Sequence, residues 1–543
     1  CFTAPCKSGC PIHQDIPEYI ELCKRGLYGP ALKLITEKNA LPFITGTICA
    51  HRCQNKCSRN FYEESVQIRD TKLVAAEQGY GALMASIRKP EAVAGKKAAI
   101  IGGGPTGIAA AYFLGRAGIQ TTIFEREAKL GGVPRYVIPA FRISDEAIDK
   151  DVALMEQYGV EVKCGAPAPS IDELKKQGYT HILLATGAWQ AGKLDIPGNV
   201  QGVIGWMKDM KTQVKPSLTG HIVVVGAGNT AMDAARVAGR MGACSSTIVY
   251  RRTKKEMPAD EHELALAIAD GVNMVELAAP VEQKDGRLRL EKMKLGEPDA
   301  SGRRAPVGTG EFFEIPCDLV LSAVGEQVDA ALMAANGVEM ERKGPAFQTN
   351  VENVWCAGDA HRGPATVVEG IADAAAFAEA VIGAPHSYEI PAEAYPARAC
   401  AVSKKGVLKM AKDACCEGAR CLDCNTVCEN CVDSCPNRAN VAVTLADGRV
   451  QIVHVDKMCN ECGNCTHFCP YASEPCHDKF TLFQTAEDMA DSSNAGVLFL
   501  GGDHVRVRLG EVKDYDLSQP NDLQKDIESL ILRLRSNYSY LYC

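Results

Sequence analysis

Apolar residues recur at helical spacing along Ile16–Arg25 and Tyr28–Lys38, which predicts a helical first ninety residues. Near residue 98 the pattern changes. The short apolar run Ala98–Ile101 meets a cluster of glycines and then an Ala-rich stretch, predicting strand, tight loop and helix. A second run, His221–Val225, opens the same series of elements, and strand-and-helix patterning returns over 316–385. Residues 386–415, with Pro391, Pro396 and many small residues, read as a linker. After residue 476 come a β-like stretch at Val497–Leu509 and an amphipathic helix at Leu523–Leu534. No apolar run reaches membrane-spanning length without Gly or polar interruptions.

The 543 residues predict three or four domains at roughly 150 residues each. A hydrophobic content of 46% with 23% charged residues excludes global disorder. The net charge of -8 argues against a nucleic-acid partner, since no basic surplus exists to neutralise phosphates. Cysteine changes the picture most. Of 25, seven fall in residues 1–57 and thirteen in 400–476. Clusters at both ends of a large chain read as metal ligands in a reducing, cytoplasmic compartment rather than as a disulfide framework. Residue 1 is Cys and no signal-peptide pattern follows it, so either the polypeptide extends upstream or residue 1 follows processing.

The first glycine cluster is Gly102, Gly104 and Gly107 with Pro105 and Thr106 between, a G-x-G-x-x-G that follows a strand and opens a helix. Gly102 permits the tight turn, Gly104 lets backbone approach a pyrophosphate, and Gly107 lets the helix pack on the strand. The helix N-terminus offers unpaired N–H groups to the phosphates. Thr121–Phe124 ends in Glu125, an acid placed to hold a ribose diol, with Arg126 beside it. Gly132, Thr186 and Gly187 follow. Gly358-Asp359 at a later strand end, with Thr366 and Val367 at a helix start, suits a ribityl chain and a flavin edge, so this site reads as FAD. Arg142 is a further candidate for an anionic cofactor, a surface salt bridge being its alternative.

The second cluster is Gly226, Gly228, Asn229 and Thr230, a G-x-G-x-x-A variant. Its next strand, Thr247–Tyr250, ends in Arg251 and Arg252 instead of an acid. Two guanidinium groups there favour a 2'-phosphate, hence NADPH over NADH. No C-x-x-C lies in this half, so the redox dithiol of thioredoxin-reductase-like enzymes is not expected, and the four middle cysteines read as buried packing.

Near the C-terminus, Cys459, Cys462, Cys465 and Cys469-Pro470 reproduce the bacterial ferredoxin run. Upstream stand Cys421, Cys424, Cys428, Cys431 and Cys435-Pro436, with one extra cysteine and one extra spacer residue. The spacing assigns Cys424, Cys428, Cys431 and Cys469 to one 4Fe–4S cluster and Cys459, Cys462, Cys465 and Cys435 to another, with Cys421 an alternative to Cys424. Zinc is the competing reading of paired C-x-x-C. Cys415, Cys416 and Cys476 read as bystanders.

Residues 1–385 resemble the small-subunit family of glutamate synthase, also found as the N-terminal part of dihydropyrimidine dehydrogenase. The resemblance rests on Gly9-Cys-Pro-Ile, Ile16-Pro, Ala40-Leu-Pro, the paired nucleotide fingerprints, Tyr250-Arg-Arg, Met257-Pro-Ala259 and Gly363-Pro-Ala-Thr-Val-Val-Glu369. With the ferredoxin run added, nearly the whole chain is similar to the FAD/iron–sulfur subunits described as selenate reductases, tied to anaerobic purine breakdown. The resemblance implies two N-terminal 4Fe–4S clusters. One would use Cys1, Cys6 and Cys57 with a cysteine upstream. The other would use Cys10, Cys49 and Cys53, its fourth position, Gln or Glu in relatives, falling on Lys72, a poor iron ligand.

The expected architecture is therefore α/β: a helical Fe–S domain (1–96), an FAD domain (97–215 and 316–385) interleaved with an NAD(P)H domain (216–315), a linker (386–415), a ferredoxin-like domain (416–476) and a tail (477–543). The expected function is NADPH-dependent electron transfer through FAD and clusters to a partner subunit or upstream domain, in an oligomer and away from membranes. The alternatives are a glutamate synthase small subunit and a non-catalytic Fe–S docking subunit.

Overall fold

A computed structural model of the chain describes residues 3–61, 63–212, 218–298, 304–339, 347–408, 414 and 416–542. Cys1, expected as a cluster ligand, lies outside the described residues. The first helices form as the apolar spacing predicts, at Ile16–Lys24 and Tyr28–Thr36. They bury Ile16, Ile20, Leu32 and Ile35 against the longer helix Ile68–Ser86.

Two five-stranded, all-parallel sheets follow. The first has the order 354–356, 181–184, 97–101, 120–125, 161–164. Its outer strand, Val354–Cys356, returns after the second sheet and pairs with His181–Leu184 at Trp355↔Leu183. The second has the order 200–202, 319–322, 221–225, 245–250, 273–276. Parallel strands covered on both faces bury nearly every residue, which is why Ala98–Ile101 and His221–Val225 read as continuous apolar runs. Between the last two strands of the second sheet in sequence stands an antiparallel ribbon, Ala278–Lys284, Arg287–Pro298 and Arg304–Pro316, which the sequence pattern did not predict.

The final sheet has six strands in sequence order, from Asn440–Thr444 to Glu511–Asp516. Four of them, Phe480–Phe483, Gly496–Gly501, His504–Leu509 and Glu511–Asp516, come from the expected tail. Val453 in the cysteine-bearing part pairs with Phe480, so ferredoxin run and tail share one sheet. Helix Lys525–Asn537 closes its core with Leu530, Ile531 and Leu534. The expected linker is draped on the N-terminal helices: Tyr388 donates to Asp15, and Arg25 donates to the Tyr395 carbonyl at 3.2 Å.

Among the described residues no helix is long and apolar enough to cross a membrane.

Candidate functional site

At the C-terminal end of the first sheet, Gly102 turns the chain at φ +109° and Gly104 caps helix Pro105–Arg116. A Cβ on Gly107 would lie 2.0 Å from the Gly102 carbonyl oxygen, so only glycine lets this helix meet its strand. Gly104 differs: its nearest neighbour to a Cβ is 3.8 Å away, leaving open space where the helix N-terminus points. Glu125 is buried and accepts from the Gly103 N–H at 2.6 Å and the Glu127 N–H at 2.8 Å. Arg126, more than half exposed, lies over the Trp189 ring. Gly132, at φ +56°, packs so close to Gly104 that a Cβ would fall 2.7 Å from its Cα.

The returning strand delivers the other wall. Gly358, at φ +66°, abuts Thr106, and helix Val367–Ile382 packs on Pro105–Arg116. Thr366 caps that helix with a reciprocal bond to Glu369. Asp359 accepts from the Ala365 N–H at 3.1 Å, and burial pushes its carboxyl up to about 6. Asp373, which the sequence reading missed, is buried and holds this loop: it accepts from the Gly358 N–H at 2.9 Å and pairs with Arg362. Only its i, i+4 spacing from Glu369 on one helix could have suggested it. Thr186 Oγ1 is buried without a hydrogen-bond partner, beside Gly187 at φ +73°. An orphaned hydroxyl and an open glycine facing a helix N-terminus fit a dinucleotide with polar oxygens.

Arg142 takes up its salt-bridge alternative: it bridges Asp233 and Glu263 of the second nucleotide domain, both at 2.7 Å. Two carboxylates on facing helices capture the guanidinium more strongly than solvent does. Neighbouring Phe141 lies under Arg236 and Arg240 of the same domain. The middle cysteines also divide: Cys317 and Cys356 are buried, Cys164 is half-buried and Cys244 is exposed.

The second site repeats the first. Gly226 turns at φ +140°, and a Cβ there would meet the Ala323 carbonyl at 2.2 Å. Gly228 caps helix Asn229–Arg240, with no atom within 4 Å of a Cβ. Asn229 accepts from the Asp260 N–H at 3.1 Å, which closes Met257–Asp260 over the loop, and Thr230 stands half-buried in the first turn. Arg251 is exposed at the end of strand Ser245–Tyr250, while Arg252 donates to the Arg304 carbonyl at 3.1 Å. The space over Gly228, with cations at the neighbouring strand end, fits a phosphorylated nucleotide.

The cysteines gather into nests. Cys10 and Cys53 face one another with Cys49, and the buried Lys72 is within electrostatic range of both. Burial pushes the Cys53 thiol up to about 12, its thiol neighbours adding to the shift. A second nest joins Cys6 and Cys57 and is lined by Cys421 and Cys424 as well. Cys428 and Cys431 both face Cys469. Cys459 faces Cys435 and Cys465, with Cys476 beside it and Cys462 exposed nearby in sequence. Among the described residues no three His, Cys, Asp or Glu side chains close on a single metal ion. The spread of each nest, and buried thiols that resist ionising unless iron neutralises them, fit a cubane whose ligands surround several irons.

Two parallel sheets interleaved in sequence, each presenting a glycine loop and a helix N-terminus at its strand ends, define a two-nucleotide reductase. The chain belongs to the pyridine nucleotide-disulphide oxidoreductase family, which matches residues 96–374. Residues 1–80 match dihydropyrimidine dehydrogenase domain II, a 4Fe-4S cluster domain. Its cofactors are FAD, NADPH and 4Fe–4S clusters. A protein of Escherichia coli K12, YgfK, described only provisionally as an oxidoreductase, is 42% identical over 94% of this chain and 52% of its own length. The NADP(+)-dependent formate dehydrogenase subunit beta of Moorella thermoacetica is 34% identical over 68% of this chain and 58% of its length. The glutamate synthase [NADPH] small chain of Halomonas elongata is 30% identical over 70% of this chain and 88% of its length. The chain thus spans about half the length of the first of these relatives.

Proposed function

We propose that this chain is the electron-transfer part of a larger oxidoreductase, drawing on NADPH and serving a partner subunit or further domain. The carrying observation is contiguity between the flavin loops and the cysteine nests. Arg52, next to Cys53, pairs at 3.0 Å with Glu369 in the first turn of the helix that Thr366 caps. Cys424 Sγ donates to Ser58 Oγ at 3.4 Å, beside Cys57, so the N-terminal and C-terminal nests share a wall.

In this reading Gly102, Gly104, Pro105, Thr106, Gly107, Glu125, Thr186, Gly187, Gly358, Asp359, Thr366 and Val367 hold FAD. Gly226, Gly228, Asn229, Thr230, Arg251 and Arg252 hold NADPH, the arginines selecting its 2'-phosphate. FAD, when bound, accepts a hydride and releases single electrons, which is chemistry no side chain of the chain supplies. Asp359 and Thr186 would orient the flavin side, and Asp373 keeps Asp359 in place. Cys424, Cys428, Cys431 and Cys469 hold one C-terminal cluster, and Cys435, Cys459, Cys462 and Cys465 the other. The thiolates require a reducing cytoplasm. The family resemblance points the final acceptor toward purine- or selenate-linked metabolism on the partner.

Anaerobic titration tests the reading. Purified protein should carry flavin, iron and sulfide. NADPH, much better than NADH, should bleach the flavin and then the broad Fe–S absorption. Zinc in place of iron, or no bleaching by either nucleotide, would overturn it.

A further inference from the structure

Three N-terminal cysteines meet a cation where a fourth ligand would stand. Cys49 ends helix Pro42–Ile48, and the chain turns through His51, at φ +39°, into the short helix Arg52–Asn55 that carries Cys53. Cys10 is in electrostatic range of both Cys49 and Cys53. The Ile12 and Gln14 N–H groups donate to the Cys10 sulfur, and the Gln54 N–H donates to that of Cys53. Donors of this kind orient metal ligands. Helix Ile68–Ser86 is pinned across the nest at its first turn. There the Arg69 N–H donates to Gln54 Oε1 at 3.1 Å, and the Arg69 guanidinium donates to the Cys49 carbonyl at 3.4 Å.

Lys72 follows one turn later on the same helix. It is only 6% exposed, and its charge reaches Cys10 and Cys53. Among the described residues its ammonium makes no hydrogen bond or ion pair. Asp151 is in electrostatic range of it but is occupied by the Phe43 and Ile44 N–H groups, at 3.1 and 2.8 Å. Tyr19, in range of Cys10 and Cys53, donates its hydroxyl to the Ile68 carbonyl at 3.4 Å. A buried ammonium left without a counter-charge is costly, so this site calls for an anion against Lys72.

The donor set does not fit a cubane. A 4Fe–4S cluster takes four ligands, one on each iron, and the nest supplies three thiolates. An ammonium has three N–H donors and no lone pair, so it binds no iron, and its charge repels one. A cluster of three irons and four sulfides suits the set instead. Each iron takes one thiolate. The corner that lacks an iron is framed by three sulfides, which match the three donors of one ammonium.

We propose that Cys10, Cys49 and Cys53 hold a [3Fe–4S] cluster with the Lys72 ammonium at its vacant corner. The proposal rests on reading these cysteines as cluster ligands, and the other nests keep four irons. On ligation the three thiols release their protons to solvent and form three S–Fe bonds, with no change of oxidation state. Lys72 forms no bond to iron.

Electron counting makes the proposal testable. Three ferric ions hold an odd number of electrons, so the oxidised cluster gives an EPR signal. A 4Fe–4S cluster with two ferric and two ferrous ions holds an even number and gives none in that state. The full chain is purified anaerobically, and its EPR is recorded after oxidation by a mild redox dye and after reduction by dithionite. Iron and sulfide are counted, and flavin content measures folding. Wild type is expected to show the oxidised-state signal at about one spin per chain, and Cys53→Ala to lose it together with about three irons. Lys72→Glu places a carboxylate at the vacant corner. It should lose the oxidised-state signal, gain about one iron and add a signal on reduction. Lys72→Gln repeats that test without the new charge. His51→Ala, which removes the imidazole between Cys49 and Cys53, should match wild type. No oxidised-state signal in wild type, with iron still lost from Cys53→Ala, would overturn the three-iron cluster and leave the cysteines as ligands. A signal unchanged in both Lys72 variants, or abolished in His51→Ala, would do the same. Full iron in Cys53→Ala would overturn the underlying reading itself.

Discussion

Replacing Gly104 by Ala separates binding from folding. The backbone there has φ -77° and ψ -176°, an extended conformation open to any residue. The nearest atom to a new Cβ is 3.8 Å away, so nothing in the protein must move. Flavin-free Gly104→Ala should therefore melt no earlier than wild type, and up to ~1 kcal/mol later, because Ala loses less chain entropy on folding. The methyl does fill the space over the helix N-terminus where a pyrophosphate would approach. Losing one hydrogen bond to that charged group costs ~1.5–3 kcal/mol, or roughly 10- to 150-fold in FAD affinity. Deflavinated protein titrated with FAD, followed by flavin fluorescence, gives the affinity, and thermal melts without FAD give the stability. Wild-type affinity in Gly104→Ala would refute the placement of the pyrophosphate. Gly107→Ala supplies the contrast: its Cβ would sit 2.0 Å from a backbone oxygen, so that variant should lose stability as well as flavin.

Arg251→Ala should raise the KM for NADPH by roughly tenfold to a hundredfold and leave NADH nearly unchanged, as expected for losing one charge-assisted contact to a 2'-phosphate; equal effects on both nucleotides would count against it. Asp373→Ala leaves Arg362 and the Gly358 N–H without their shared carboxylate, so it should lower stability by about 3 kcal/mol and loosen FAD, visible in melts and in flavin retained after gel filtration. The Asp359 carboxyl titrates near 6 in the fold against 3.8 when free, so the folded state holds that proton more tightly and stability falls as pH rises from about 4 to 6. Flavin-free Asp359→Asn should therefore gain on wild type across that window, by ~3 kcal/mol at neutral pH; a gap independent of pH would argue against the burial of that carboxyl.

Features that depend on neighbours in sequence were legible. Buried parallel strands show as apolar runs, and each glycine loop shows because its turn tolerates no side chain at Gly102, Gly107 or Gly226. Cysteines at short spacing also lie near one another, as Cys459 and Cys465 do. What the chain conceals is long-range. Arg142 carries no mark that says which domain will supply its carboxylates, and Asp373 is one acid among several on an alternating Ala-rich helix. The ribbon of 278–316 escaped because its burial is shallow and its strands are largely polar on both faces. The tail seemed separate because a parallel crossover, such as that joining Val450–Val455 to Phe480–Phe483, leaves no local signature of which strand it will pair with.

The shared wall between Ser58 and Cys424 joins residues 366 positions apart in sequence. A ribosome makes the first of them well before the second. The cavity lined by Cys6, Cys57, Cys421 and Cys424 therefore does not exist on the nascent chain until that late stretch has emerged and docked. Iron delivered during synthesis would find only half of the lining. Loading at this point follows the emergence of residues 421–424, and a product cut short before residue 421 would leave the ribosome with its two glycine loops formed and this cavity unbuilt.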